Sequence, residues 1–192
     1  MVDLVETMNH LINTPSDINE HLMYLKELAD TVQHVTEFGV RDGVSSVAFL
    51  NSNVTLRSYD IFLSTEANKY FESALAKQKD VRYIICDVLD VDIEPTDLLF
   101  IDTFHNHDQV LQELRKHAPS VRKYIVLHDT TTFGRCSEPH YYDNVRWLSD
   151  GSKPHAGVLD GIEQYLSENS SWSIHNVRTN NNGLTTLVKS AG

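Results

Sequence analysis

Residues 97–105 read Asp-Leu-Leu-Phe-Ile-Asp-Thr-Phe-His, and residues 123–129 read Lys-Tyr-Ile-Val-Leu-His-Asp. Each is a nearly unbroken apolar run that stops at an aspartate with a histidine close by. Runs of this kind, short and apolar on alternate and adjacent positions alike, are expected of central strands covered on both faces. The stretch Tyr-Ile-Ile-Cys-Asp-Val (83–88) has the same form. Asp is depleted in strands, so an acid closing each run implies that the acid has something to hold.

Working outward, the runs alternate with helical patterns. Strands are expected at 34–40, 54–62, 81–88, 97–103 and 123–129, and helices at 43–51, 64–79, 106–118 and 157–169. Ser64 and Asn106 are placed to cap their helices. Upstream, 16–32 reads as a helix opening at Ser16 or Asp17, with Asp17 and Glu20 at capping-box spacing and Ile18, Leu22, Leu25 and Leu28 at helical intervals. Residues 172–178 and 184–190 form a hairpin pattern around Thr-Asn-Asn-Asn-Gly (179–183). Strands alternating with helices define an α/β chain with a mainly parallel, doubly wound sheet, here ending in an antiparallel hairpin. Ligands of such sheets bind beyond the carboxyl ends of the strands. The five strand ends carry Glu37, Asp60, Asp87, Asp102 and Asp129, and that regularity is the strongest signal in the chain.

The chain has 192 residues, with 41% hydrophobic and 22% charged content, which suits one domain comprising a helical arm (1–32), the sheet and a substrate-side loop (130–156). A formal net charge of −11 repels phosphate backbones, so nucleic acid is not an expected partner. No apolar stretch is long enough to span a bilayer and the N-terminus does not read as a signal peptide. Two cysteines, Cys86 and Cys136, make no disulfide framework. A cytoplasmic protein acting on a small molecule, with room for a homo-oligomer, is the expectation.

Glu37 to Gly43 read Glu-Phe-Gly-Val-Arg-Asp-Gly, a strand-to-helix turn in which the glycines allow positive φ and a close approach to a ligand. The following helix start, with Ser45 and Ser46, offers donors to an anion; a plain tight turn is the competing reading. Asp60, about twenty residues on, stands where an acid accepts ribose hydroxyls. Asp87 either meets an adenine or caps its loop. His107, His117, His140, His155 and His175 follow no ligand spacing and read as surface residues. The segment 138–147, Glu-Pro-His-Tyr-Tyr-Asp-Asn-Val-Arg-Trp, is a lid or an oligomer contact. Glu20 and His21 either approach the same mouth or serve as caps.

In this order the motifs resemble a class I S-adenosylmethionine-dependent methyltransferase, with a Rossmann-like seven-stranded sheet, and more narrowly the methyltransferase family 24 branch near the cephalosporin-hydroxylase-like proteins. The resemblance spans about residues 16–190 and is carried by Asn-Glu-His-Leu (19–22), Val-Thr-Glu-Phe-Gly-Val-Arg-Asp-Gly (35–43), Leu-Leu-Phe-Ile-Asp-Thr-Phe-His (98–105), Tyr-Ile-Val-Leu-His-Asp-Thr (124–130) and Asn-Asn-Asn-Gly-Leu-Thr-Thr-Leu (180–187). It implies S-adenosylmethionine as cofactor and a small-molecule hydroxyl, such as that of a sugar, as acceptor. It also implies that Glu37, Gly39, Gly43, Ser45 and Ser46 serve the methionine part, Asp60 the ribose, and Cys86, Asp87 and Val88 the adenine, with Asp102, Thr103 and Phe104 near the sulfonium. Position 104 is Phe where relatives often carry a second Asp. Asp102, His128 and Asp129 are then the candidate ligands of a divalent metal, and His128 is otherwise a packed strand-end residue. Without a metal, His105 beside Asp102 is the candidate general base. Two alternatives stay open: a metal-dependent hydroxylase or hydrolase of the same fold, and a non-catalytic nucleoside-binding domain.

Overall fold

A computed structural model describes residues 1–138 and 156–190. Seven strands form one sheet in the order β3-β2-β1-β4-β5-β7-β6. They are β1 (His34–Phe38), β2 (Thr55–Asp60), β3 (Val81–Ile85), β4 (Thr96–Ile101), β5 (Val121–His128), β6 (Trp172–Arg178) and β7 (Leu184–Lys189). The first five pair in parallel, and β7 runs antiparallel between β5 and β6. The expected α/β sheet with its terminal hairpin is present.

Among the described residues six α-helices cover the sheet: α1 (Leu4–Ile12), α2 (Leu22–Ala29), α3 (Val44–Leu50), α4 (Thr65–Ala76), α5 (His107–His117) and α6 (Val158–Glu168). The period-two alternation of β4 shows why both faces need cover. Leu98 and Phe100 enter a core shared with α1, α2, α3 and α4, while Leu99 and Ile101 enter a second core shared with α5 and α6. All four are at most 3% exposed. Ser64 accepts from the Ala67 N–H and Asn106 from the Gln109 N–H, the two caps the residue types call for.

The arm departs from expectation. Asp17 and Glu20 make no capping box. Ser16 accepts instead from the Ile18 and Asn19 N–H groups, a single 3-10 turn covers Asn19–His21, and α2 starts only at Leu22. Asp17 is thereby released to accept twice from the Arg41 guanidinium, at 2.8 and 2.7 Å. Two of the five histidines read as surface residues are in fact buried. His107 lies between Asp108 and Gln164, and His117 contacts the Val88 carbonyl and packs edge-on against Phe38. His175 is exposed. The 138–147 segment beyond Glu138, with His140 and His155, lies outside the described residues. No described helix is long and apolar enough to cross a membrane.

Candidate active site

The carboxyl ends of β1 to β4 border a cavity of about 750 Å³, within the range of small-molecule sites. Of the residues assigned to a cofactor from sequence, Gly39, Ser45, Asp60, Cys86, Asp87, Val88, Asp102, Thr103 and Phe104 line it, whereas Glu37, Gly43 and Ser46 do not. The turn after β1 explains the first glycine. Gly39 has φ +81°, and its N–H donates to the Tyr59 carbonyl. Gly43, φ +79°, packs on Ala67 of α4.

Glu37 points away from the cavity into the protein. It is fully buried, and Ser45, Ser46 and Ser58 donate to it at 2.7, 2.8 and 2.5 Å. Burial pushes its carboxyl up to about 7 despite the three hydroxyls. The Ser45 and Ser46 hydroxyls expected to meet a ligand carboxylate are therefore committed to Glu37. Asp60 ends β2 and gathers the loops on either side of it. Its Oδ2 accepts from the Val40 and Arg41 N–H groups at 2.8 and 2.9 Å, and its Oδ1 from Phe62 at 3.0 Å. Asp87 accepts from the Leu89 N–H at 2.9 Å and also lines the cavity, so its capping and ligand-facing readings coexist.

Sequence reasoning passed over Glu113. It is fully buried on α5 and receives the Thr103 hydroxyl on both oxygens, at 2.8 and 2.9 Å, and the Gln109 amide at 2.6 Å. Burial pushes it up to about 7. Its helical pattern looked like that of any amphipathic helix, and only the cross-element contact to Thr103 marks it. Arg41 and Glu138 also line the cavity.

At the other end of the cavity Asp102 and Asp129 are neighbours, as the paired strand ends suggest, because Ile101 and Leu127 are register partners. His105 and His128 stand between them. His105 Nε2 lies 3.2 Å from Asp102 Oδ1 and 3.1 Å from Asp129 Oδ2, and its Nδ1 lies 3.0 Å from Glu138. The ring stacks on Phe133 with 5.3 Å between centroids. His128 Nδ1 lies 3.2 Å from Asp102 Oδ1 and 2.9 Å from Asp129 Oδ2. Its Nε2 donates toward the carbonyls of Asp17 and Asn181. Asp129 leaves β5 with φ +58°, which Asp tolerates better than most residues. Burial alone would lower both imidazoles, but Asp102 raises each. With Glu138 and Asp129 on His105, and Asp129 on His128, both are pushed up to about 10. Burial would raise Asp102, but His128 and His105 hold it well below the usual carboxylate range. With no cation beside it, His105 holds its proton tightly between Asp102, Glu138 and Asp129.

The cluster fits a divalent cation. The ligand atoms of Asp102, His128 and Asp129 lie within 4.8 Å of one another, and Asp129 Oδ1 is buried with no partner. Glu20 and His21 do not join the mouth. They clamp the β6–β7 turn: Asn180 bonds to the Glu20 side chain, Asn181 accepts from the Glu20 N–H, and His21 contacts the Asn180 carbonyl.

No protein-family profile and no curated protein matches the chain. Solved structures do. The O-methyltransferase TomG of Streptomyces achromogenes, solved with S-adenosylmethionine, aligns with a TM-score of 0.66 at 15% identity over 100% of this chain and 91% of its own. The Synechocystis magnesium protoporphyrin IX methyltransferase ChlM, with S-adenosylhomocysteine bound, aligns at 0.63 and 13% identity over 97% and 94%. Podospora anserina methyltransferase PaMTH1, also with S-adenosylhomocysteine bound, aligns at 0.58 and 16% identity over 100% and 89%. The fold is that of the class I S-adenosylmethionine-dependent methyltransferases.

Proposed function

We propose that this chain is an S-adenosylmethionine-dependent methyltransferase acting on a small-molecule hydroxyl. One observation supports the reading: a single cavity joins the loop turns after β1, β2 and β3 to the Asp102–His105 end, which offers a nucleoside-bearing cofactor and an acceptor one space. Structural neighbours described as O-methyltransferases support oxygen as the acceptor atom. Asp60 takes the ribose hydroxyls with the acceptor capacity left after its three backbone bonds. Cys86, Asp87 and Val88 flank the adenine, and the Asp102 carboxylate attracts the cationic sulfonium.

The acceptor oxygen attacks the methyl carbon, the carbon–sulfur bond breaks, and S-adenosylhomocysteine and a proton leave. The sulfonium is already activated, so alignment is the main contribution asked of the protein. Asp102, His128 and Asp129 would hold a divalent cation, which supplies Lewis acidity toward the acceptor hydroxyl. The same cluster favours a second reading, a metal-dependent hydrolase or hydroxylase on this fold. Calorimetry with S-adenosylmethionine and S-adenosylhomocysteine tests the first: binding of both is expected, and binding of neither overturns it. Turnover of a candidate acceptor without S-adenosylmethionine would favour the second.

A further inference from the structure

We propose that His105 is a fourth ligand beside Asp102, His128 and Asp129, and that the four donors form a site for a zinc-like transition ion instead of magnesium or calcium. The inference does not depend on methyl transfer. It starts from a closed ring of contacts. His105 Nε2 and His128 Nδ1 each face both Asp102 Oδ1 and Asp129 Oδ2, with the four separations between 2.9 and 3.2 Å. Donor atoms held by one tetrahedral ion at about 2.0–2.2 Å lie about 3.3–3.6 Å apart, so an outward shift of a few tenths of an ångström seats the ion.

The outer nitrogens show which way the rings are set. His105 Nδ1 meets the Glu138 carboxylate, and His128 Nε2 meets two backbone carbonyls. All of these partners only accept, so each outer nitrogen keeps its proton, and a cation that displaces the inner proton meets a lone pair turned inward. Two such nitrogens and two carboxylates then offer one cation four inward donors. A carboxylate or carbonyl on the outer nitrogen is also the usual support of a metal-bound imidazole. Asp129 is 3% exposed, and its Oδ1 has no partner, so a second oxygen stands by the ring. Magnesium and calcium take oxygen ligands, whereas imidazole suits zinc, iron, copper and nickel. Asp102 and His105 also line the cavity, which puts the site in its wall.

The test uses the full chain stripped with a chelator and reloaded with zinc, with X-ray absorption counting the imidazoles on the ion. One zinc per chain with two imidazole nitrogens is expected, and one imidazole or none overturns the proposal without any variant. Calorimetry then compares ions and variants, each first checked for a cooperative thermal transition. His105→Gln should weaken zinc at least about ten-fold and drop the count to one. Glu138→Gln should weaken it about ten-fold with the count unchanged. Magnesium binding as tightly as zinc, or unchanged zinc affinity in His105→Gln, overturns the assignment. These readouts need no S-adenosylmethionine. Failure to bind that cofactor would leave them standing, and their failure would leave cofactor binding standing.

Discussion

Gly39 and Asp102 touch through their backbones: a β-carbon on Gly39 would lie 1.9 Å from the Asp102 carbonyl oxygen. The Asp102 N–H donates to the Phe38 carbonyl at 2.8 Å, so the end of β4 is seated against the turn that follows β1. The glycine is needed twice, once for this contact and once for φ +81°. Gly39→Ala should therefore cost more than about 2 kcal/mol, read as a shifted denaturant midpoint. A near-wild-type midpoint would show that the turn relaxes freely.

Asp60 joins two cavity loops through three N–H groups. Asp60→Ala should lower stability by about 1–3 kcal/mol and weaken S-adenosylhomocysteine binding at least about ten-fold, since one ribose hydrogen bond to a charged group contributes about 1.5–3 kcal/mol. Calorimetry giving an unchanged Kd would remove the ribose assignment.

Stability should fall with rising pH in chelated protein. His105 and His128 bind a proton more tightly folded, at about 10 against an ordinary 6.5. That contribution is complete below pH 6.5 and is lost as pH rises through about 10. Glu37 and Glu113, raised from 4.5 to about 7, act in the same direction at lower pH. Asp102 acts the other way, losing its contribution only in strong acid. Urea midpoints at about pH 6 and about pH 9.5 should drop across the interval, and a His105→Gln/His128→Gln double variant should flatten the drop. Equal slopes in the two proteins would place the pH dependence elsewhere.

Asn181 has φ +47°, and its side chain accepts from the Glu20 N–H and donates to the Ser16 carbonyl, while its own carbonyl meets His128. Asn181→Ala loses the two side-chain bonds and a residue tolerant of that backbone. It should cost about 2–3 kcal/mol, seen in thermal unfolding, and loosen the clamp on His128. A cost below about 0.5 kcal/mol would mean that the turn is held by its neighbours.

Much of the fold was legible because its signals are local. Apolar runs of strand length, the Ser64 and Asn106 caps and the glycines of the first turn each act within a few residues. The candidate site was legible only as a set of strand-end acids. Glu37 and Asp60 look alike in sequence, yet one is buried under three serines and the other faces the cavity. Glu113 and His117 were missed, or read as surface, because a helical period does not say which polar residue finds a partner across the core. Asp17 read as a cap and became the partner of Arg41, since Ser16 competes for the same backbone donors.

By itself the sequence determined the order of strands and helices, the two glycines of the turn after β1 that take positive φ and the row of acids at one rim, since hydrophobic period, backbone sterics and strand direction are written residue by residue. Tertiary structure alone decided what those acids do. Parallel pairing of β4 with β5 brings Asp102 to Asp129, the chain after β4 folds His105 back between them, and the β6–β7 turn closes on His128 from a segment more than fifty residues away in sequence. Charges and lone pairs act through space, and which of them face one another is a property of the packed fold.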